Sequence, residues 1–317
     1  MERRSLLKSA GCGLLGASGA VAAAPALRNP HPAAHPHTRP RGKRVTTRDG
    51  TDIFVRDWGT GPTVLFLAGW ALPSDFWAQQ MVPLCDAGAR CIAYDRRGHG
   101  ASDDPGQGYH YDQLADDLAD VIDAVHTGQP LVLVAHSMSG GEVVRYLKKN
   151  GSRRVAGIVF VGTILPALGR SASNPKGLSP DQFESYRQSV ILADFPKWLQ
   201  DNARPFFVAG TSQDTMDWVK SLMLRCSMKS VIDCHRAQTN ADFHDELDAI
   251  DRPVLLIHGE RDVSAPLELT AQVMARRLPK ATLKVYADAP HGLPITHAKL
   301  LNSDILDFVQ QLTHAFS

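Results

Sequence analysis

The sequence predicts an α/β fold: a mostly parallel, doubly wound sheet wrapped by helices and carrying an inserted helical lid. Three observations lead there. From Val45 onward, short apolar runs alternate with longer helical patterns, the rhythm of repeated strand–helix units. Most of those runs lack polar alternation, which marks strands buried on both faces of a parallel sheet. Residues 163–253 then break the rhythm, separating two sheet strands without a convincing strand of their own.

In chain order, the predicted strands are 53–58, 64–67, 91–94, 131–135, 158–161, 254–257 and 283–286. Between and after them the patterns predict helices over 75–87, 111–127, 139–150, 266–278 and 296–312. In the interruption, Phe183, Tyr186, Val190 and Ile191, then Val219, Leu222, Met223 and Cys226, fall at helical spacing. Residues 44–162 and 254–317 are thus expected to form the core, with 163–253 as a lid over the strand ends. Trp198, Trp218 or Phe206 would give that lid an apolar lining suited to a hydrophobic or aromatic substrate, although packing within the lid explains them equally well.

The first residues read as an address. Arg3-Arg4-Ser5-Leu6-Leu7-Lys8 precedes a Gly/Ala-rich apolar run and then Pro25, the pattern of a twin-arginine export signal. The run is too short and too rich in glycine for a permanent membrane anchor. Residues 1–27 are therefore expected to be the signal, with cleavage after Ala22, Ala23 or Ala24, and the product to be periplasmic or secreted. Residues 28–43, rich in Pro, His and Arg, predict a disordered linker, and its composition accounts for His31, His35 and His37 better than metal binding does. Export permits disulfides at Cys85, Cys91, Cys226 and Cys234. Cys226 and Cys234 would sit about 12 Å apart on one helix, too far to bridge, so free thiols are expected, with Cys85–Cys91 as the alternative pairing.

At 317 residues, 44% hydrophobic and net charge +1, the chain has length for one large core. Its 34 basic and 33 acidic residues are balanced, which argues against nucleic acid as a partner. Local pairs such as Arg96-Arg97 and Arg276-Arg277 are expected on solvated faces. A homo-oligomer is left open.

The chemistry concentrates at Leu131-Val-Leu-Val-Ala-His136-Ser137-Met138-Ser139-Gly140-Gly141. An apolar strand running into a serine with small residues two positions to either side is a nucleophile elbow, where the chain reverses into a helix within about two residues. A strand-to-helix turn with a capping serine is the plainer alternative. The apolar run ends at Ala135, so Ser137 falls in the turn and Ser139 in the first helical turn. A serine needs a base, and the base a third group to hold its tautomer; at such elbows the partners follow in the order serine, acid, histidine. His258-Gly-Glu-Arg-Asp262 and Ala289-Pro290-His291-Gly292 both follow predicted strands in that order. Asp262 is the candidate acid and His291 the candidate base, while Asp251, Glu260 and Asp288 read as loop flanks, and His99, His136 and His258 as residues that satisfy backbone groups. Two backbone donors must hold the oxyanion: Met138 N–H, and Trp70 N–H in the loop where Gly69 permits close approach, with Trp70 as pocket wall the alternative.

Together, Phe66-Leu-Ala-Gly69-Trp70, Tyr94-Asp-Arg-Arg-Gly98-His-Gly-Ala-Ser102, His136-Ser137-Met138, His258-Gly259 through Asp262 and Ala289-Pro290-His291-Gly292-Leu293 resemble the α/β-hydrolase superfamily, and within it the cofactor-free haloperoxidase, perhydrolase and arylesterase branch. The similarity spans roughly residues 45–312. It implies a Ser-His-Asp triad on Ser137, His291 and Asp262, hydrolysis of a small ester or lactone through an acyl-enzyme, and no metal or haem cofactor. Two departures stand out: Ser139 replaces the usual Gly, and Ala71 follows Trp70 where strongly perhydrolytic members tend to carry Pro. Three functions follow from this pattern: a serine carboxylesterase, a perhydrolase whose peracid oxidises halide, and a ligand-binding receptor with a vestigial triad. Dehalogenase and epoxide-hydrolase chemistry need Asp at the elbow, which Ser137 excludes. Ser137→Ala is expected to abolish p-nitrophenyl acetate hydrolysis while Ser139→Ala keeps most of it; the reverse pattern would move the nucleophile to Ser139.

Overall fold

Strands apolar on both faces need helices above and below them. The described residues supply eight strands: β1 (Lys43–Thr46), β2 (Asp52–Trp58), β3 (Thr63–Leu67), β4 (Arg90–Tyr94), β5 (Leu131–His136), β6 (Val155–Val161), β7 (Val254–Gly259) and β8 (Ala281–Tyr286). They form one sheet in the order β1-β2-β4-β3-β5-β6-β7-β8. β2 pairs antiparallel with β1 and β4, and every pairing from β4 to β8 is parallel. The computed structural model describes residues 42–172, 174–175 and 177–316. The predicted signal, with His31, His35 and His37 and nearly all of the predicted linker, lies outside the described residues.

The period of two along each strand sorts its side chains onto opposite faces. Leu65, Leu67, Ile92, Leu133 and Ala135 face one way, against Leu114, Leu118 and Ile122 of α2 (Tyr111–Val125) and Val143, Val144 and Leu147 of α3 (Ser139–Asn150). For this count, α1 is Ala78–Asp86. Val64, Phe66, Cys91, Ala93, Val132 and Val134 face the other way, against Met81 and Leu84 of α1 and the C-terminal helix, where Leu301 and Ile305 are fully buried. Each of these buried Val, Leu, Ile, Phe and Met side chains contributes about 1.5–3 kcal/mol.

All seven predicted strands are present, with shifted ends. β1 has no predicted counterpart: it is four residues long with one buried side chain, Val45, which pairs with Ile53. The predicted helix over 75–87 divides into a 3-10 turn, Ser74–Trp77, and α1. The one over 266–278 shrinks to Ala271–Arg277, because Thr270 adopts φ −124°, ψ −95° and its hydroxyl donates to the Pro266 carbonyl at 2.8 Å. Arg96 and Arg97 are not on a solvated face. They are 4% and 0% exposed, because each finds a buried carboxylate far along the chain: Glu142 for Arg96, and Asp117 for Arg97 at 2.6 Å, with the exposed Asp49 adding a contact to Arg97 at 2.9 Å.

Between β6 and β7 the described residues form four α-helices, α4 (Pro180–Tyr186), α5 (Phe195–Phe206), α6 (Gln213–Met223) and α7 (Met228–Asn240), with a π-helical turn at Arg187–Ile191 and a 3-10 helix at His244–Ala249. Each begins at a side-chain cap: Ser179, which forms a reciprocal box with Gln182, then Asp194, Ser212 and Ser227. A cap of this kind contributes about 0.5–2 kcal/mol. The start of α7 is tied to the loop after β4, since the Ser227 N–H and the Ser230 hydroxyl both donate to the Gly98 carbonyl, at 3.0 and 2.9 Å. The chain closes with α8 (Ala271–Arg277), α9 (Leu293–Thr296) and α10 (Ala298–Phe316). Cys85, Cys91, Cys226 and Cys234 are free thiols, and Cys226 precedes α7 instead of sharing it with Cys234. No helix among the described residues is long and apolar enough to cross a membrane.

Candidate active site

Parallel strands put their carboxyl ends along one edge, and the loops that leave that edge carry the chemistry. Ser137 follows β5 directly. Its φ is +56°, a conformation that costs a non-glycine residue about 1–3 kcal/mol and persists only where the surroundings enforce it. They do so here. The Ser137 N–H donates to the Val161 carbonyl at 3.0 Å, and α3 begins two residues later. A side chain at Gly140 or Gly141 would meet Thr163 and Leu165, or Tyr111 and Phe243, within 3.0 Å. Ser139 points away from the cavity, fully buried, and its hydroxyl donates to the Leu67 and His136 carbonyls at 2.9 and 2.8 Å.

The two partners read from the sequence meet Ser137. His291 Nε2 lies 2.9 Å from Ser137 Oγ, and His291 Nδ1 lies 2.7 Å from Asp262 Oδ2. The second carboxylate oxygen of Asp262 accepts the N–H groups of Ser264 and Ala265, at 3.0 and 2.8 Å. Burial pushes the Asp262 carboxyl up, but His291, the His258 ring and the Ala265 N–H outweigh it and hold the group below the usual carboxylate range. Other nearby carboxylates are engaged elsewhere: Asp288 with Arg261, and Asp251 with Arg252 at 3.5 Å. His99, His136 and His258 each bond a backbone carbonyl: Arg97 at 2.9 Å, His291 at 3.1 Å and Ala265 at 2.7 Å. The contact of His136 clamps the loop that presents the His291 ring.

Gly69 brings the loop after β3 against the elbow, where an added Cβ would stand 3.2 Å from Ser137 Cβ and 2.7 Å from the His136 ring. Neither Trp70 N–H nor Met138 N–H donates to an acceptor among the described residues. Both unpaired N–H groups thus belong to segments next to the elbow, Met138 directly after Ser137 and Trp70 directly after Gly69. Composition hid what steadies them. Arg96 Nη2 and Nη1 donate to the Ala68 and Gly69 carbonyls at 2.8 and 3.2 Å, and Arg96 Nε donates to Glu142 of α3 at 2.8 Å. One guanidinium therefore ties the Trp70 loop to the helix that follows Ser137. Its position just beyond a strand's carboxyl end was the available signal.

Above Ser137 and His291 opens a cavity of about 360 Å³ whose apolar walls include Trp70, Tyr186, Trp198, Phe206 and Met223. Trp70 is part of the wall and its N–H is unpaired, while Trp218 lies outside the lining and packs on the core instead. Among the described residues, no group of three or more His, Cys, Asp or Glu is placed to hold a metal ion.

A family model described as alpha/beta hydrolase fold matches residues 62–298. The chain belongs to the α/β-hydrolase family. Within it, this α/β-hydrolase falls in the haloperoxidase and perhydrolase branch. It is 37% identical over 272 residues to a non-heme haloperoxidase of Rhodococcus erythropolis, covering 84% of this chain and 98% of that one. It is 34% identical to a bifunctional esterase/perhydrolase of Acinetobacter calcoaceticus, covering 84% and 99%. A bromoperoxidase from Bacillus anthracis superposes with a TM-score of 0.79 at 32% identity, covering 84% of this chain and 99% of that one.

The buried histidines give this α/β-hydrolase an acid limit. Burial, aided by nearby positive charge, lowers His99 and His136 to about 3 and His235 to about 4. Unfolded, each would titrate near 6.5, so below that pH the unfolded chain takes up protons that the fold refuses. Their contribution is complete above about pH 6.5 and is lost on acidification toward pH 3–4, at about 1.4 kcal/mol per pH unit for each histidine. The denaturant midpoint is expected to fall steadily from pH 7 to pH 5; a constant midpoint would contradict neutral, buried imidazoles.

Proposed function

We propose that the protein is a carboxylic-ester hydrolase acting on small hydrophobic or aromatic esters or lactones. The observation that carries this is the 2.9 Å contact between Ser137 Oγ and His291 Nε2 on the floor of an apolar cavity, beside the unpaired N–H groups of Trp70 and Met138. Ser137 Oγ attacks the ester carbonyl as His291 Nε2 takes its proton, and Asp262 stabilises the resulting imidazolium. The tetrahedral oxyanion is held by Trp70 and Met138 N–H. His291 then returns the proton to the departing alcohol, leaving an acyl group on Ser137. Water, deprotonated by the same imidazole, releases the acid and restores the serine.

The relatives named haloperoxidase and perhydrolase favour a second acceptor: hydrogen peroxide in place of water, which would release a peracid able to oxidise halide. Ala71 argues against this as the main outcome. It sits at φ +56°, where proline, locked near −65°, cannot go, so this loop does not take the shape of one that carries Pro after its Trp. We further propose that Arg3-Arg4 and the Ala-rich run after them direct export.

The test sets p-nitrophenyl acetate hydrolysis beside bromination of monochlorodimedone with acetate and peroxide, in wild type and Asp262→Asn. Hydrolysis is expected to dominate; dominant bromination would reverse the ranking. In the variant, the new amide must keep its oxygen toward the Ser264 and Ala265 N–H groups. Its NH2 then faces His291 Nδ1 and forces the ring proton onto Nε2, where the serine proton has to go, so kcat is expected to drop on the order of 10^4-fold. An unchanged kcat would remove Asp262 from the mechanism.

A further inference from the structure

Away from Ser137 and His291 the cavity above the elbow is lined mainly by apolar side chains, with Asn202, Lys220 and Ser264 at separate points, and its one grouped set of polar side chains is on α7, which contributes His235, Gln238 and Thr239. Spacings of three and four residues set these on one helix face. Behind them lies Arg187, 1% exposed, whose Nη1 donates to Thr239 Oγ1 at 2.9 Å and to His235 Nδ1 at 3.3 Å. A guanidinium only donates, so Nδ1 accepts and the His235 hydrogen resides on Nε2. Burial and the Arg187 charge keep the ring neutral, with a pKa lowered to about 4. Nε2 has no partner among the described residues, and Trp70, Phe183 and Tyr186, all lining the cavity, surround the ring. Gln238 is 9% exposed, and its side-chain amide bonds to no described residue. Thr239, by contrast, is engaged: its hydroxyl donates to the His235 carbonyl at 2.8 Å and accepts from Arg187.

Neither His235 Nε2 nor the Gln238 amide is among the fully buried polar atoms that lack a partner, so both unpaired groups are open to the cavity they line. Three residues apart on one wall of that cavity, they are placed to meet a ligand. We propose that His235 Nε2–H and the Gln238 amide form a subsite that binds a neutral acceptor oxygen, a carbonyl above all, carried by the ester substrate. The proposal rests on the ester-hydrolase reading of Ser137 and names its substrate class more closely. Because Nε2 only donates, the matching atom must accept. Arg187 Nε and Nη2 are met by Glu184 Oε2 at 3.0 and 2.8 Å, so the wall offers hydrogen bonds instead of uncompensated positive charge, which favours a neutral oxygen over a carboxylate. Trp70 sets the spacing. Its backbone belongs to the loop beside Ser137, its indole Nε1 donates to the Val231 carbonyl on α7 at 2.8 Å, and its ring centroid lies 5.3 Å from that of His235, so the indole stands between the elbow loop and the subsite.

The test measures binding apart from turnover. Ser137→Ala is titrated by calorimetry with 4-acetylphenyl and 4-isopropenylphenyl acetate, and with phenyl 4-oxopentanoate and phenyl 4-methylenepentanoate. Each pair exchanges C=O for C=CH2, on the alcohol and the acyl side respectively. In at least one pair the ketone is expected to bind about tenfold more tightly, and adding Gln238→Leu, which leaves the His235 Nε2–H donor in place, is expected to cut that preference to about threefold. Gln238→Leu strands no buried partner, whereas His235→Phe would leave Arg187 unpaired, so Gln238→Leu is the deciding variant. Equal binding within both pairs, or a preference undiminished by Gln238→Leu, would overturn the subsite. A ketone preference that Gln238→Leu reduces, with no hydrolysis of any of the four esters by the wild-type chain, would keep the subsite and sink the hydrolase reading.

Discussion

One hydrogen bond organises this molecule: Ser137 Oγ to His291 Nε2 at 2.9 Å, between residues 154 positions apart in the chain. A serine hydroxyl becomes a nucleophile only where a base of fixed orientation can take its proton. The parallel sheet meets that condition by placing the ends of β5, β7 and β8 on one edge. Each strand end delivers one group, and a loop of a few residues suffices to close the distance. The strained φ of Ser137 is tolerated because the buried sheet beneath it and the tightly packed start of α3 leave the elbow nowhere else to go.

A second layer holds these groups still. Asp262 spends one oxygen on His291 and the other on two backbone N–H groups, so its carboxylate cannot rotate away from the ring. His136 grips the carbonyl of His291. Arg96 binds the carbonyls of the Trp70 loop and the Glu142 carboxylate together, with Tyr94 OH donating to the other Glu142 oxygen at 3.1 Å. Removing one partner of such a buried pair strands a charge, at a cost of about 3–5 kcal/mol. Loop, elbow and imidazole are thereby coupled through contacts that do not touch a substrate.

The sheet and the meeting of Ser137, Asp262 and His291 were legible because each group directly follows an apolar run, and strand order then dictates their convergence. β1 was not, because four residues with a single buried Val45 carry no period. Arg96 and Arg97 were misread for a related reason: two adjacent charges show nothing of carboxylates 46 and 20 positions away. The helix predicted from residue 266 failed at Thr270, whose hydroxyl competes for a local carbonyl and delays the start to Ala271. Trp198 and Phe206 line the cavity as their apolar character allowed, but Trp218, identical in type to Trp198, packs on the core, and only the direction of α6 separates them. The polar wall of α7 was invisible in the sequence, since its meaning depends on Arg187 behind it.

The central claim is that His291 activates Ser137. The most direct measurement is the rate of covalent modification by a fluorophosphonate, with the modified residue mapped by mass spectrometry, in wild type and in His291→Ala. The account predicts a single adduct on Ser137 in wild type and almost none in the variant. An adduct on another serine, or equal rates in the two proteins, would contradict it.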